Sequence, residues 1–263
     1  MTVIDFARLR AALKDFNQRK PFSHVVIDDF FPIDVAKALE SEFLPYDHEK
    51  WFFYKNAIED KKTLNDWNVF PSLTYRVFKE LTSDAISKAM ADALDVNLYP
   101  DQGLHGGGWH IHSTGGNLNP HLDYSIHPKV RLQRKLNLII YLSSDMTEAH
   151  GGHLGFWSHD AGNRAPRDLE REVAPRFNRA VLFDTTQNSW HGLSRPLTQP
   201  ENVYRKSLAV YYLTDVPEGC DPREKALFAP REAQANDPAV LELIETRSHS
   251  TRFKEAYRTP ESV

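Results

Sequence analysis

Pro120-His121-Leu122-Asp123 places an imidazole and a carboxylate two residues apart. On an extended strand, residues at that spacing point to the same face, so both side chains can reach one point. A third donor would complete the two-histidine, one-carboxylate arrangement that leaves open positions on ferrous iron. His191 is the best-placed candidate. It follows the apolar run Ala180-Val181-Leu182-Phe183-Asp184 and the turn-rich segment Thr185-Thr186-Gln187-Asn188-Ser189, which can return the chain beside the earlier strand. His-x-Asp by itself is a weak signal, because a histidine near an aspartate is usually a hydrogen-bonded pair. Arg205-Lys206-Ser207 strengthens it. This triplet opens the apolar strand Leu208-Ala209-Val210-Tyr211-Tyr212-Leu213, with Arg205 and Ser207 on one face. A guanidinium fork with a nearby hydroxyl matches both oxygens of a carboxylate. Alone, such an arginine would pair with a surface aspartate. Beside a metal triad, it suits the distal carboxylate of 2-oxoglutarate.

Several elements must position these residues. Phe6, Leu9, Leu13 and Phe16 recur close to helical spacing and predict an amphipathic helix. His24 to Asp28 reads as a short strand, and Pro32-Ile33-Asp34 leads into a helix with Asp34 at its N-cap. Trp51 to Tyr54 reads as another strand, and 71–94 as two helices broken near Thr82-Ser83-Asp84. From residue 104 the texture changes to short apolar runs punctuated by Gly, Asn, Asp and Pro. Strands are expected at 108–113, 118–124, 135–143, 153–158, 168–174, 179–184, 190–194 and 204–213. About eight short strands in roughly 110 residues suggest a double-sheet jelly roll. The fold class is thus mostly β with helical decorations (α+β), a double-stranded β-helix braced by N-terminal helices. The economical division is one domain over 1–263. It has a mainly helical support region at 1–100, a jelly-roll core at 104–215 and a C-terminal helical extension at 216–263.

Composition narrows the partners. Charged residues are 26% and the formal net charge is -4, so there is no basic footprint for nucleic acid and no polybasic membrane patch. No apolar run approaches the roughly 18 residues of a membrane span. The single cysteine, Cys220, cannot form an internal disulfide, and the first residues lack the pattern of a signal peptide. The expected home is the reducing cytoplasm. Gly106-Gly107-Gly108 is not a phosphate loop, since no Lys-Ser/Thr follows. It is expected to permit a bulge or a close backbone approach. No Gly-x-Ser-x-Gly elbow is present for nucleophilic catalysis.

Taken in order, the motifs resemble the prolyl-4-hydroxylase-like branch of the iron(II)- and 2-oxoglutarate-dependent oxygenases. The resemblance runs over about residues 20–215 and is sharpest from 104 to 213. It is carried by Gly115-Gly116, Pro120-His121-Leu122-Asp123, Arg134, the strand Leu136 to Tyr141-Leu142, and Gly151-Gly152-His153-Leu154. Asn178 to Asp184, His191 and Arg205-Lys206-Ser207 complete the set. The resemblance implies that His121, Asp123 and His191 hold Fe(II). It implies that Arg205 and Tyr141 receive the C5 carboxylate of 2-oxoglutarate, with Ser207 assisting. His112 stands where the family often has a tyrosine touching the cosubstrate. Ala209 stands where some relatives carry a hydroxyl residue, and the loop from His191 to Arg205 is longer than in many of them.

The implied reaction consumes O2, decarboxylates 2-oxoglutarate to succinate and CO2, and hydroxylates an unactivated C–H bond. Asp123 favours hydroxylation, because halogenating relatives need a small residue there. The resemblance points first to a prolyl or other peptidyl side chain as substrate, with a free small molecule such as an amino acid, sugar or specialised metabolite as the alternative. A non-oxidative cupin-like metalloprotein is a third reading. Arg134, Tyr124 and Trp157 are the substrate-side candidates, with His127 and His159 near the expected mouth. Core packing for Trp157 and a solvated basic loop for Arg134 compete with that role. His105, His110, His150 and His153 are expected to be structural or exposed. Oligomeric state is left open.

Overall fold

The apolar runs that read as buried strands do form the centre of the molecule. In a computed structural model, which describes residues 2–257, three strands precede the jelly roll: β1 (His24–Ile27), β2 (Phe52–Lys55) and β3 (Glu59–Leu64). Then come β4 (Tyr99–Pro100), β5 (Gly108–His112), β6 (Asn117–Leu118), β7 (His121–Leu122) and β8 (Gln133–Tyr141). The chain continues through β9 (Leu154–Asp160), β10 (Ala165–Val173), β11 (Ala180–Asp184), β12 (Trp190–Leu193), β13 (Arg205–Thr214) and β14 (Leu227–Phe228). Among the described residues these make two antiparallel sheets. The larger runs β1-β11-β8-β13-β5-β3-β2, with β4 on β13 and β6 on β3. The smaller runs β10-β9-β12-β7-β14. The architecture is the mostly-β jelly roll with helices that the sequence implies. Residues 258–263, the end of the expected C-terminal extension, lie outside the described residues.

Helices cover the outer face of the larger sheet. α1 (Phe6–Leu13) buries Leu9 and Leu13, and α2 (Ile33–Ser41) buries Ala36 and Leu39. α3 (Ser72–Leu81) and α4 (Asp84–Leu94) break where expected, with Ser83 capping α4 through a side-chain oxygen. The cap of α2 differs from expectation. Helix geometry already begins at Ile33, so Pro32 is the N-cap and Asp34 sits in the first turn. There its charge faces the positive end of the helix dipole. Trp109, Phe78, Tyr212 and Leu138 anchor the core between helices and sheet.

β3 is the main element that sequence spacing misses. Glu59-Asp60-Lys61-Lys62-Thr63-Leu64 has no apolar alternation, yet it pairs with β5, Lys62 opposite Ile111 and Thr63 opposite His110. Its inward residues are polar because they line a cavity, as shown below. The expected strand 118–124 also divides into the short β6 and β7. The glycine triplet acts as a close-approach device. A Cβ on Gly107 would lie 2.5 Å from the Ala209 carbonyl oxygen, and one on Gly108 2.2 Å from that of Leu64.

Gly192 has the same role between the sheets' short strands. A Cβ there would lie 2.7 Å from the Asn119 carbonyl oxygen, so β12 can approach β6 and β7 only without a side chain. Gly192→Ala should cost about 1–3 kcal/mol through overpacking and weaken divalent-metal binding in parallel. Melting temperature and metal titration of the variant check this; a full-affinity metal site would show that the approach is not needed.

Candidate active site

β7 and β12 meet at a single pair, His191 opposite His121. Asp123 lies two residues beyond His121, on the same side of the chain. One donor atom from each of His121, Asp123 and His191 lies within 4.8 Å of the other two, and all three residues are buried. Nδ1 of His121 is 3.0 Å from the Asn119 carbonyl and Nδ1 of His191 is 2.8 Å from the Ser189 carbonyl. A carbonyl can only accept, so each Nδ1 carries the proton and each Nε2 presents a lone pair. The Nε2 atoms lie 3.8 and 3.9 Å from the Asp123 carboxylate. Burial holds both imidazoles below their ordinary pKa, His121 well below. Burial is the largest single influence and pushes the Asp123 carboxyl up, but Arg134, the two imidazoles and Lys61 together outweigh it and bring it down to about 2. All three donors are therefore deprotonated at neutral pH, the form that binds a metal ion.

Arg134 supports the carboxylate rather than lying in a solvated loop. It is 2% exposed. Its guanidinium is sandwiched between the rings of Tyr124 and Tyr211, 3.4 Å from each centroid. Nη1 is 3.4 Å from Asp123 Oδ1, and Nη2 donates to the His105 carbonyl at 2.7 Å. Two aromatic faces and a carboxylate offset the desolvation of this buried cation. Tyr124 lines the cavity with its hydroxyl on the His105 carbonyl at 3.2 Å. Arg223 donates to the Asp123 backbone carbonyl at 2.9 Å, fixing the turn after β7.

The residues expected to clamp a carboxylate come together across three strands. Arg205 pairs with His112 in the β13–β5 ladder, and Ser207 pairs with Tyr141 in the β13–β8 ladder. Arg205 is buried, donates Nε to the Gly152 carbonyl at 2.9 Å, and sits 4.8 Å from the Tyr141 ring centre. Gly152 has φ 65°, and a Cβ on it would press on Arg205 Cδ at 3.0 Å. The second glycine of the Gly-Gly pair thus leaves room for the arginine. The Tyr141 hydroxyl, both ring nitrogens of His112 and Asp123 Oδ2 are buried without a hydrogen-bond partner among the described residues. Buried polar atoms of this kind cost stability unless a ligand satisfies them. A dicarboxylate beside Arg205 and a cation at the triad fit that requirement.

A cavity of about 590 Å³ joins these groups. Sequence reasoning missed much of its wall. Glu59, Lys61, Thr63 and Asn65 come from β3 and the turn after it, His105 from the glycine turn, and Arg247, Phe253 and Tyr257 from the C-terminal segment. His110 also faces the cavity, and its place two residues before His112 on one strand was a usable signal. Trp157 is corrected. Leu154 lines the cavity and Phe156 joins the core beneath it, so alternation turns Trp157 to the opposite face, against Leu122, Trp190 and Ala229. His159 accepts from Trp190 Nε1 at 3.0 Å, and His127 lies 3.7 Å from Asp101; neither lines the cavity.

Residues 107–213 match the family model of the 2OG-Fe(II) oxygenase superfamily. No curated protein sequence matches the chain. Solved structures share the fold at low identity. A Pseudomonas putida prolyl-4-hydroxylase aligns with TM-score 0.59 and 17% identity, over 79% of this chain and 100% of that one. A Trichoplax adhaerens prolyl hydroxylase in complex with a hypoxia inducible factor peptide fragment gives 0.53 and 14%, over 79% and 90%. HygX from Streptomyces hygroscopicus, with nickel, 2-oxoglutarate and hygromycin B bound, gives 0.51 and 14%, over 79% and 87%. Residues 107–213 thus carry a 2OG-Fe(II) oxygenase match, and the fold around them is prolyl-4-hydroxylase-like. The chain is a 2-oxoglutarate-dependent dioxygenase that uses Fe(II), 2-oxoglutarate and O2.

Two outcomes follow. Arg134→Lys keeps the charge but cannot fill the slot between two rings. It should lower the melting temperature and weaken metal binding about tenfold, the equivalent of ~1.4 kcal/mol, as read by calorimetric titration of Mn²⁺. Arg205→Ala should leave metal binding intact and weaken 2-oxoglutarate about tenfold to a hundredfold, from the ~1.5–3 kcal/mol of a hydrogen bond to a charged group. Equal 2-oxoglutarate affinity in that variant would remove Arg205 from the clamp.

Proposed function

We propose that this dioxygenase hydroxylates an unactivated C–H bond of a free small polar molecule. In this reading His121, Asp123 and His191 hold the iron. Arg205, Tyr141 and Ser207 receive the C5 carboxylate of 2-oxoglutarate, and His112 faces the cosubstrate from the next strand. Iron, 2-oxoglutarate and O2 together supply the oxidising power, with succinate and CO2 as the other products. The chain's own residues set where that power is used. Arg134 keeps Asp123 ionised and oriented. The Tyr141 hydroxyl donates to the carboxylate that Arg205 neutralises. Phe228 stacks on His121 at 5.0 Å between ring centres, and Phe183 meets His191 edge-on at 4.7 Å, shielding the donors from water.

The observation that carries the small-molecule choice is the wall built by the C-terminal segment. After α5 (Pro238–Ser248), the turn Phe253–Tyr257 returns over the cavity. Arg247 Nε donates to Glu59 Oε1 at 2.8 Å, and the Tyr257 hydroxyl donates to the same carboxylate, which is 1% exposed. A peptide must enter and leave a site as a continuous chain, whereas a walled cavity of this volume lies within the roughly 300–1,000 Å³ of small-molecule sites. The fold itself accommodates both kinds of occupant, a peptide in the Trichoplax enzyme and hygromycin B in HygX.

The test is anaerobic addition of Fe(II) and then 2-oxoglutarate, followed by aerobic incubation with a library of free amino acids, sugars and hydroxy acids and a parallel set of prolyl peptides. A visible charge-transfer band that His191→Ala abolishes establishes the loaded site. A small molecule gaining one oxygen in step with succinate is the expected result. Oxygen incorporation confined to peptides would overturn the small-molecule reading while leaving the reaction class intact.

A further inference from the structure

Among the described residues, several of the charged side chains lining the cavity are already paired. Arg134 is committed to Asp123. Arg247 is committed to Glu59, which also accepts from Tyr257. Arg205 belongs to the carboxylate clamp. At the rim, Lys254 is exposed, and Lys225 packs its ammonium 3.7 Å from the Phe253 ring centre. Lys61 lies on β3 between Glu59 and Thr63, both of which share its face and line the cavity. Among the described residues its Nζ has no hydrogen-bond acceptor and no carboxylate within 4.0 Å; the nearest aromatic face is Tyr54, 5.4 Å to the ring centre. Burial lowers its pKa, and neighbouring Arg247 and Arg205 add to that, while Glu59 and Asp123 oppose it.

Register fixes where this ammonium starts from. Lys62 is opposite Ile111 and Thr63 opposite His110, so Lys61 falls beside His112. His112 is in turn opposite Arg205. Lys61 and Arg205 therefore stand two strand spacings apart, about 10 Å between backbones, with His112 between them. The cosubstrate's distal carboxylate already has a seat at Arg205, Tyr141 and Ser207. Lys61 is surplus to that clamp and to the metal donors. Lys61 is half-buried and faces the cavity, so a ligand that supplies an anion there gains a charge-assisted contact in a partly desolvated site.

We propose that Lys61 is the specificity residue that anchors a carboxylate of the primary substrate, making this a hydroxylase of small carboxylic acids. This rests on the small-molecule reading above and sharpens it. A single ammonium on this stretch of the wall suits a monoanion. Thr63, Asn65 and His110, on the same stretch of cavity wall, supply hydrogen-bonding groups to the rest of such a molecule. The arrangement also separates the two acids of the reaction, because the arginine fork takes one carboxylate and the lysine point charge the other.

The experiment uses the full chain loaded with Zn²⁺ and 2-oxoglutarate, so that binding is read without turnover. Calorimetry measures a panel of free amino acids, hydroxy acids and uronic acids, each beside its own primary amide. At least one acid should bind at least tenfold more tightly than its amide. Lys61→Met and Lys61→Gln should erase that difference, and Lys61→Arg should retain part of it. All three should keep the wild-type 2-oxoglutarate affinity and melting temperature. If no acid binds better than its amide, or if the preference survives Lys61→Gln, Lys61 is not the anchor. A tenfold loss of 2-oxoglutarate affinity in the variants would reassign Lys61 to the cosubstrate and also overturn the proposal. Failure of the wild-type protein to bind 2-oxoglutarate at all would instead strike the assignment of the clamp.

Discussion

The site hangs on one backbone pairing, His191 opposite His121. A strand slip of a single residue would turn His191 to the other face, and the three donors would no longer converge. The register is held from several sides. β12 pairs along its whole length with β9, from Trp190 opposite Trp157 to Leu193 opposite Leu154. The bare edge of Gly192 lets it close on Asn119 and Leu118. Arg231, from beyond the jelly roll, donates to the Leu193 carbonyl at 2.8 Å and to the Asn117 side chain at 2.6 Å. It bridges the strand that carries one histidine to the strand that leads into the other.

Around that pairing the molecule holds an unusual number of buried charges for its core. Asp123, Arg134, Arg205 and Glu59 are each under a tenth exposed. Buried ion pairs are weak sources of stability, because desolvation consumes most of their attraction. Their value here is positional. Arg134, clasped by two tyrosines, cannot move without unstacking both rings, so the carboxylate it faces is held in one orientation. Arg205 is pinned through Gly152 in the same way. Stability comes instead from the apolar layer between the larger sheet and its helices, where Trp109, Phe78 and Leu138 are almost fully buried.

The C-terminal segment turns an open-ended jelly roll into a walled cavity. β14 extends the smaller sheet, placing Phe228 against His121, and α5 with the following turn closes on β3 through Arg247 and Tyr257. This gives the tail a direct part in the shape and charge of the cavity. A single carboxylate, Glu59, joins β3 to the C-terminal segment at the wall, so the size of the occupant depends on contacts between segments nearly two hundred residues apart.

Much of the candidate site was legible in the sequence. His-x-Asp on a strand, a later histidine after a turn and Arg-x-Ser on an apolar strand each follow from local spacing, and strand alternation aims them without knowledge of the fold. The apolar strands of the core were legible for the same reason. Alternation also decides Trp157 against the cavity, once Leu154 and Phe156 are known to face inward, but which face is inward is a tertiary fact. β3 escaped because its inward residues are Glu59, Lys61 and Thr63, polar where a core strand would be apolar. Arg134, within a basic stretch that reads as solvated, is buried because two tyrosines and a carboxylate from other strands surround it. Sequence by itself aimed His121 with Asp123, and Arg205 with Ser207, since each of these pairs needs only a two-residue period. The tertiary structure decided which charges are paired, because a partner nearly two hundred residues away carries no local signal.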